Sequence, residues 1–347
     1  MPNPWTWNHI RKNTVFQGLL SVTLTFCLLE AVLALFVYVP SVHSVLPKPI
    51  QNAMAHLYAD RTARHISMLP QCARYDPYTF YTLKPNTTCR FANIEYDTAI
   101  TINSEGLRDF EKDLREPQVI ALGDSFTMGV GVEASQTFVS QLEKMTGTPI
   151  LNAGISSFGT ERELRILRRL DRSRVKTVIV QYAENDRGEN AAAIKAGGLN
   201  IRSEQDYRRI SAKHLRKTDY MPFKLSFYLL RDVIIRPALR SVARERGETA
   251  DIDEEVAHFA HHLKQMREIV PGVRFIVTEL NGRGRARVGF LARLAKRYKG
   301  DPSVVIVLVE QTLPGDAYFV IDSHINPKGH HLVAKHLAPH LLRNGGK

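Results

Sequence analysis

Cysteine is scarce, three in 347 residues, and none of the three stands in a C-x-x-C pair, so neither a disulfide scaffold nor a cysteine-ligated zinc site is encoded. No G-x-x-x-x-G-K-[ST] or G-x-G-x-x-G element follows any strand-like run, which removes the usual phosphate-cradling loops. Internal repeats are missing too, so solenoid and propeller architectures drop out. Acidic residues are in deficit, 35 against 47 Lys and Arg, a formal charge of +12. Such a balance invites nucleic acid as a partner. Residues 161–247, however, hold 21 Lys and Arg against 11 Asp and Glu, a local net of +10 that leaves +2 for the rest. The excess belongs to one segment, and no nucleic-acid partner is expected.

One long apolar run is present. Residues 15–39, VFQGLLSVTLTFCLLEAVLALFVYV, are enough to cross a bilayer with some tilt. The run exceeds the apolar region of a secretory signal, and no small-x-small cleavage site follows it. Glu30 is costly inside a bilayer, so it is expected either to be protonated or to pair with another helix, the remaining alternative being that the run is a buried helix of the soluble domain. Arg11 and Lys12 precede the span, and Lys48 is the sole Lys or Arg between Pro40 and Asp60, which places residues 1–14 in the cytoplasm. The expected topology is single-pass in an inner membrane, with everything after residue 40 in the periplasm. A bridge between Cys72 and Cys89 would persist there.

Residues 40–116 read as a connector with a short helix, then a small β-rich segment in which aromatic and β-branched residues alternate with polar ones. Beyond them, strand-like runs at 119–122, 149–154, 177–182, 274–280 and 304–310 are separated by amphipathic stretches such as 136–145 and 162–170. That alternation predicts an α/β domain over 117–347, with a parallel sheet covered by helices on both faces and ligands bound beyond the strands' carboxyl ends. Residues 187–269 are longer than one crossover requires and read as a helical, basic insertion. Within it, Arg231, Arg236, Arg240, Arg244 and Arg246 interleave with apolar residues, a pattern that suits either anionic lipid, an acidic glycan or an ordinary packed helix.

Four blocks at strand ends carry chemistry. Gly123-Asp124-Ser125 puts a serine on a tight strand-to-helix turn, where a nucleophile meets substrate beside helix N-terminal amides. Alone it is also an ordinary helix cap. Asn152-Ala153-Gly154 and Ala183-Glu184-Asn185-Asp186 follow later strands. The N–H of Ser125, the N–H of Gly154 and the Asn185 amide would together suit a developing oxyanion. In Asp322-Ser323-His324, residues two apart project to one side, so Asp322 is placed to orient His324 as a base for Ser125.

These blocks, in this order, resemble the SGNH hydrolases, also called GDSL esterases and lipases, over residues 117–343. The resemblance implies a flavodoxin-like three-layer α/β/α fold, with Ser125 as nucleophile and first oxyanion donor, Gly154 and Asn185 as further donors, His324 as base and Asp322 as its orienting acid. It also implies acyl-ester hydrolysis, or acyl transfer by the same residues. Two departures stand out: Ala183 replaces the usual glycine of G-x-N-D, and D-x-H replaces D-x-x-H. The shorter spacing resembles membrane-anchored branches linked to acylation or deacylation of cell-surface polysaccharides. An acylated small molecule or polysaccharide is thus the expected substrate, with no cofactor and no metal. A non-catalytic, polysaccharide-binding relative is the rival reading. His258, His261 and His262 are expected on a solvated helix face, and His330, His331, His336 and His340 at the surface or in packing. Asn86-Thr87-Thr88 matches a glycosylation acceptor without supporting context.

Overall fold

A computed structural model describes residues 4–219, 221–235, 250–283 and 289–342. The described chain divides into two compact units. One contains Met1–Ala63 and Thr218–Glu245, the other Arg64–Lys217 and Arg246–Lys347.

The larger unit is built on five parallel strands: β5 (Val119–Leu122), β6 (Ile150–Asn152), β7 (Thr177–Tyr182), β8 (Arg274–Glu279) and β9 (Val304–Val307). Their spatial order is β6-β5-β7-β8-β9. Numbered within the sheet, this is 2-1-3-4-5, the flavodoxin-like order, in which the chain reverses direction between the first and third strands and leaves a crevice at their carboxyl ends. Strands covered on both faces need apolar residues at every position, and VIAL and TVIVQY are buried throughout. Val119 and Ala121 face helices α5 (Phe138–Thr146) and α12 (Pro327–Leu342). Ile120 and Leu122 face α6 (Thr160–Arg169), α10 (Ala250–Ile269) and α11 (Phe290–Arg297). The expected α/β/α fold is therefore present. Its strands at 149–154 and 304–310 are shorter than their apolar runs, because Ala153 and Gly154 already belong to the turn and Leu308 to Glu310 leave the sheet.

The β-rich segment is two antiparallel hairpins. β1 (Ala73–Asp76) pairs with β2 (Phe80–Leu83), and β3 (Thr87–Asn93) with β4 (Tyr96–Ile102). Cys72 and Cys89 are disulfide-bonded and tie the two hairpins together. Asn86 has φ 53° at the entry to β3, so its place in the acceptor-like triplet answers a turn requirement.

Between β7 and β8 run α7 (Asp186–Ala196), α8 (Glu204–Leu215) and α10. α10 is a crossover helix of the core rather than part of an insertion, since Phe259, Leu263 and Met266 are fully buried against the sheet. It also corrects the histidine reading. His262 is 2% exposed, with Nδ1 3.3 Å from Glu161, so only part of that face is solvated. Arg236, Arg240, Arg244 and Arg246 lie outside the described residues.

In the smaller unit, α1 (Pro4–Tyr38) is followed by α2 (Pro40–Ser44), α3 (Lys48–Arg61) and α9 (Lys224–Tyr228), which continues as a wider π-type turn over Leu229–Ile235. Thr14–Tyr38 is long and apolar enough to cross a membrane, a property that signal sequences share.

Candidate active site

At the carboxyl end of β5 the chain turns through Gly123 into α4 (Ser125–Met128). Gly123 has φ 156°, and a Cβ there would stand 2.2 Å from Thr127 Oγ1 and 2.5 Å from Gln181 Oε1. Only glycine permits this turn. Asp124 caps α4 by accepting from the Phe126 N–H at 3.0 Å, while its own N–H donates to Gln181 Oε1 at 3.2 Å. The helix-cap reading of G-D-S therefore falls to Asp124 and leaves the Ser125 hydroxyl for other partners. Burial pushes the Asp124 carboxyl up to about 6, against the opposing hydrogen bond from Phe126, the charge of His324 and hydrogen bonds from Asn185 and Gln181.

His324 completes a chain of three side chains. Its Nε2 lies 2.8 Å from Ser125 Oγ, and its Nδ1 lies 2.5 Å from Asp322 Oδ1. The two-residue spacing works because the His324 N–H also donates to Asp322 Oδ1, at 3.1 Å, closing a tight turn that brings the ring back over the carboxylate. Asp322 is buried, which alone would raise its pKa, yet the charge of His324 and hydrogen bonds from His324 and Tyr96 hold it at about 2. A carboxylate ionised at every working pH fixes Nδ1 as the protonated nitrogen and leaves Nε2 facing the serine as acceptor. Phe126 packs on the His324 ring at 5.1 Å between centroids.

Two contributors were not legible as site residues. The Tyr96 hydroxyl donates to Asp322 Oδ2 at 2.9 Å. Beside it, Glu95 Oε1 accepts from the Val320 N–H at 2.6 Å, and Oε2 accepts from the N–H groups of Ile321 at 2.8 Å and Asp322 at 2.6 Å. Both come from the β3–β4 turn, so the small β segment braces the loop bearing Asp322 and His324. The sequence held no signal for this beyond an acidic residue in a hairpin turn.

The cavity over Ser125 has a volume of about 390 Å³. Its walls include His65, Ser156, Ser157, Glu184, Asn185 and Asn281. Asn185 caps no helix with its side chain, although it sits at the start of α7, and it lines the cavity together with Asp124 and Ser125. Gly154 is placed elsewhere. Its N–H donates to Asn152 Oδ1 at 3.1 Å, it does not line the cavity, and a Cβ on it would meet the Met128 nitrogen at 2.4 Å. Asn152 in turn donates to the Thr127 carbonyl at 3.0 Å. Asn152 and Gly154 thus brace α4 from behind. The cavity wall after β6 is formed instead by Ser156 and Ser157, and Ser157 has φ 62°, left-handed backbone that favours glycine.

Behind Asp124 lies a fully buried acidic pair. Burial, and then the charge of Asp124 and Glu189 on Glu163 and of Glu163 and Asp124 on Asp186, push both carboxyls well above the ordinary carboxylate range. Asp186 accepts from Thr160 Oγ1 at 3.1 Å, which joins the β7–α7 turn to α6. His330 is also fully buried: its Nδ1 accepts from the Phe138 N–H at 3.1 Å, so it is a packing residue linking α12 to α5.

Fold and geometry together define a flavodoxin-like α/β domain with a serine–histidine–aspartate chain at the carboxyl edge of its sheet. Solved structures similar to it include a G-D-S-L family protein, described as lipolytic, from Desulfitobacterium hafniense, at 12% identity and TM-score 0.38 over 64% of this chain and 97% of that one. An acetyl xylan esterase from the rumen bacterium Butyrivibrio proteoclasticus matches at 13% identity and TM-score 0.39, over 66% of this chain and 64% of that one. A family two carbohydrate esterase from Clostridium thermocellum, in complex with cellohexaose, matches at 12% identity and TM-score 0.40, over 67% and 65%. No protein-family model matches the sequence, and a search of curated proteins finds no match.

Proposed function

We propose that the protein is a membrane-tethered serine esterase that removes short acyl groups from a hydroxyl-rich substrate outside the cytoplasm. The hydrogen-bonded chain Ser125–His324–Asp322 at the floor of an open cavity carries this reading. All three members are present and aligned, which favours catalysis over a binding-only domain. Ser125 Oγ attacks the ester carbonyl as its proton passes to His324 Nε2, and Asp322 stabilises the imidazolium. The tetrahedral oxyanion is held by the Ser125 N–H and the Asn185 amide, with a third donor from the Ser156–Ser157 turn in place of Gly154. Collapse expels the alcohol, which takes the proton from His324. Water then repeats the sequence on the acyl-serine and releases the acid.

The cavity favours a short acyl group. Among the described residues its lining is mostly hydroxyl, amide, imidazole and carboxylate, with Phe126 and Ala183 as the apolar side chains, which gives a long hydrocarbon chain little apolar wall to lie on. Hydroxyl-rich alcohols such as sugars suit those polar walls. The disulfide supports an oxidising compartment. The bonding of Glu30 to Leu225 and Ser226 supports a retained anchor over a removed leader, because cleavage would strand those partners. Transfer to a sugar hydroxyl would use the same acyl-enzyme, and the choice rests on whether an acceptor outcompetes water. The test supplies the full-length protein with p-nitrophenyl acetate, octanoate and palmitate, with and without acetylated and deacetylated oligosaccharides. Acetate release at least about tenfold faster than palmitate is expected. Equal or faster palmitate turnover would overturn the short-acyl reading, and acylated sugar formed at the expense of free acid would make the protein a transferase.

A further inference from the structure

The smaller unit contains a helix whose outward face is apolar. Phe223 at the entry to α9, Phe227 within it and Leu230 in its π-type continuation are 37%, 47% and 53% exposed. Met221 and Ile235 extend that exposed apolar surface. The opposite side is used for packing: Leu225 is 3% exposed, and Tyr228 is half-buried. A helix on a water-facing surface has the reverse arrangement, with its polar residues outward.

What this helix packs on fixes its depth. Glu30 Oε1 accepts from the Leu225 N–H at 2.8 Å, and Oε2 accepts from the Ser226 N–H at 2.9 Å and the Ser226 hydroxyl at 2.7 Å. One turn earlier on α1, the Phe26 ring meets Phe223 edge-on at 5.9 Å. Glu30 stands eight residues before Tyr38 and Phe26 twelve, about 12 and 18 Å inside the end of the apolar span at about 1.5 Å per residue. The 25-residue span is about 37 Å long against a hydrocarbon core of about 30 Å. Even if all the excess sits at the Tyr38 end, Glu30 lies about 5 Å and Phe26 about 11 Å below the hydrocarbon boundary.

The geometry points to residues 221–235 as a second membrane element, an amphipathic segment immersed in the acyl chains of the leaflet on the Tyr38 side and held against the anchor by Glu30. The inference rests on α1 being a retained membrane span. Lipid is the occupant because the segment packs on α1 through Phe26 and Glu30, and α1 itself exposes Leu24, Leu28 and Leu35 on the same span. Glu30 then has a purpose that a lone span does not explain: its carboxylate takes up backbone N–H groups that would otherwise go unpaired in hydrocarbon. The polar end of the segment is arranged for an interface. Arg61 and Arg231 both bond Asp232, and both guanidinium groups lie 4.7 Å from the Tyr228 ring.

The test uses the full-length protein reconstituted in phosphatidylcholine vesicles, with Trp5 and Trp7 replaced by Phe and a single tryptophan introduced as Phe227→Trp or, independently, Leu230→Trp. Leu20→Trp in α1 is the control. Brominated phosphatidylcholine is expected to quench the reporter in the segment by at least about half, with blue-shifted emission, as it does the control. A quenched control beside an unquenched, red-emitting reporter would overturn the inference while leaving the anchor intact. Blue emission without quenching would also overturn it, since another protein surface would then cover the segment. An unquenched control would instead refute the anchor itself.

Discussion

Replacing Glu95 with glutamine tests whether the β3–β4 turn positions the catalytic loop. The carboxylate accepts three consecutive backbone N–H groups, from Val320, Ile321 and Asp322. Hydrogen bonds to charged groups contribute about 1.5–3 kcal/mol each. Glutamine keeps one oxygen and turns an NH2 toward the remaining donors, so the aligned loop loses about 2–3 kcal/mol relative to a displaced one. That corresponds to a fall of about 30- to 160-fold in the ratio of aligned to displaced loop. The domain itself survives, because Arg283 still donates to the Ser323 carbonyl at 3.1 Å and Phe319 to the His324 carbonyl at 3.0 Å. With a chromogenic acetyl ester, kcat is expected to fall about 30- to 100-fold, with KM changed by less than about threefold. The acidic arm of the pH–rate profile should move as well, since His324 must be unprotonated to act as base and its contact with Asp322 is what slackens. Both Glu95→Gln and Glu95→Ala retaining kcat within twofold, in folded protein, would refute a positioning role.

Ser125→Ala should lower turnover by at least about a thousandfold while near-ultraviolet circular dichroism stays native. Asn185→Ala should cost about a hundred- to a thousandfold in kcat, as loss of one oxyanion donor does, and an unchanged kcat would remove it from the oxyanion site. Cys89→Ser opens a loop with a sequence separation of 17 and should cost about 3 kcal/mol of stability by denaturant titration; an unaltered midpoint would show that the bridge does not form. His330 is depressed to about 3 by burial and then by the positive charge of Arg108 and His324, so it folds neutral. Its contribution is fully present above about pH 6.5 and is lost as pH falls toward 3, costing about 2 kcal/mol at pH 5. His330→Asn should flatten that part of the stability–pH curve, and an identical acid slope would show that other groups set it.

The sheet was legible because its strands are covered on both faces and therefore run apolar without interruption, a pattern that survives without any contact information. Ser125, His324 and Asp322 were legible because each sits at a strand exit or a helix entrance, where local spacing alone sets direction. Gly154 misled because a glycine after a strand answers equally to close packing, and here the Met128 nitrogen on α4 claims the space. Ser157 gave no warning, since a left-handed serine is a property of the folded turn and not of its composition. Glu95 and Tyr96 lie 225 and 226 positions from their partners, a distance across which no periodicity or spacing rule reaches. α10 was misassigned to an insertion because the long stretch before it obscured where the crossover resumes.

The bond between Glu95 and the Val320–Asp322 loop also bears on when the protein becomes active. A chain made from its N-terminus exposes Ser125 long before His324 exists, and the hairpin that carries Glu95 then waits for the Val320–Asp322 loop. α12, which seats that loop through His330 and Phe138, follows it in the chain. A chain that lacks residues 320–342 therefore holds no Ser125–His324–Asp322 chain. For the esterase proposed above, assembly in this order would keep Ser125 without its base until the Asp322–His324 loop has docked.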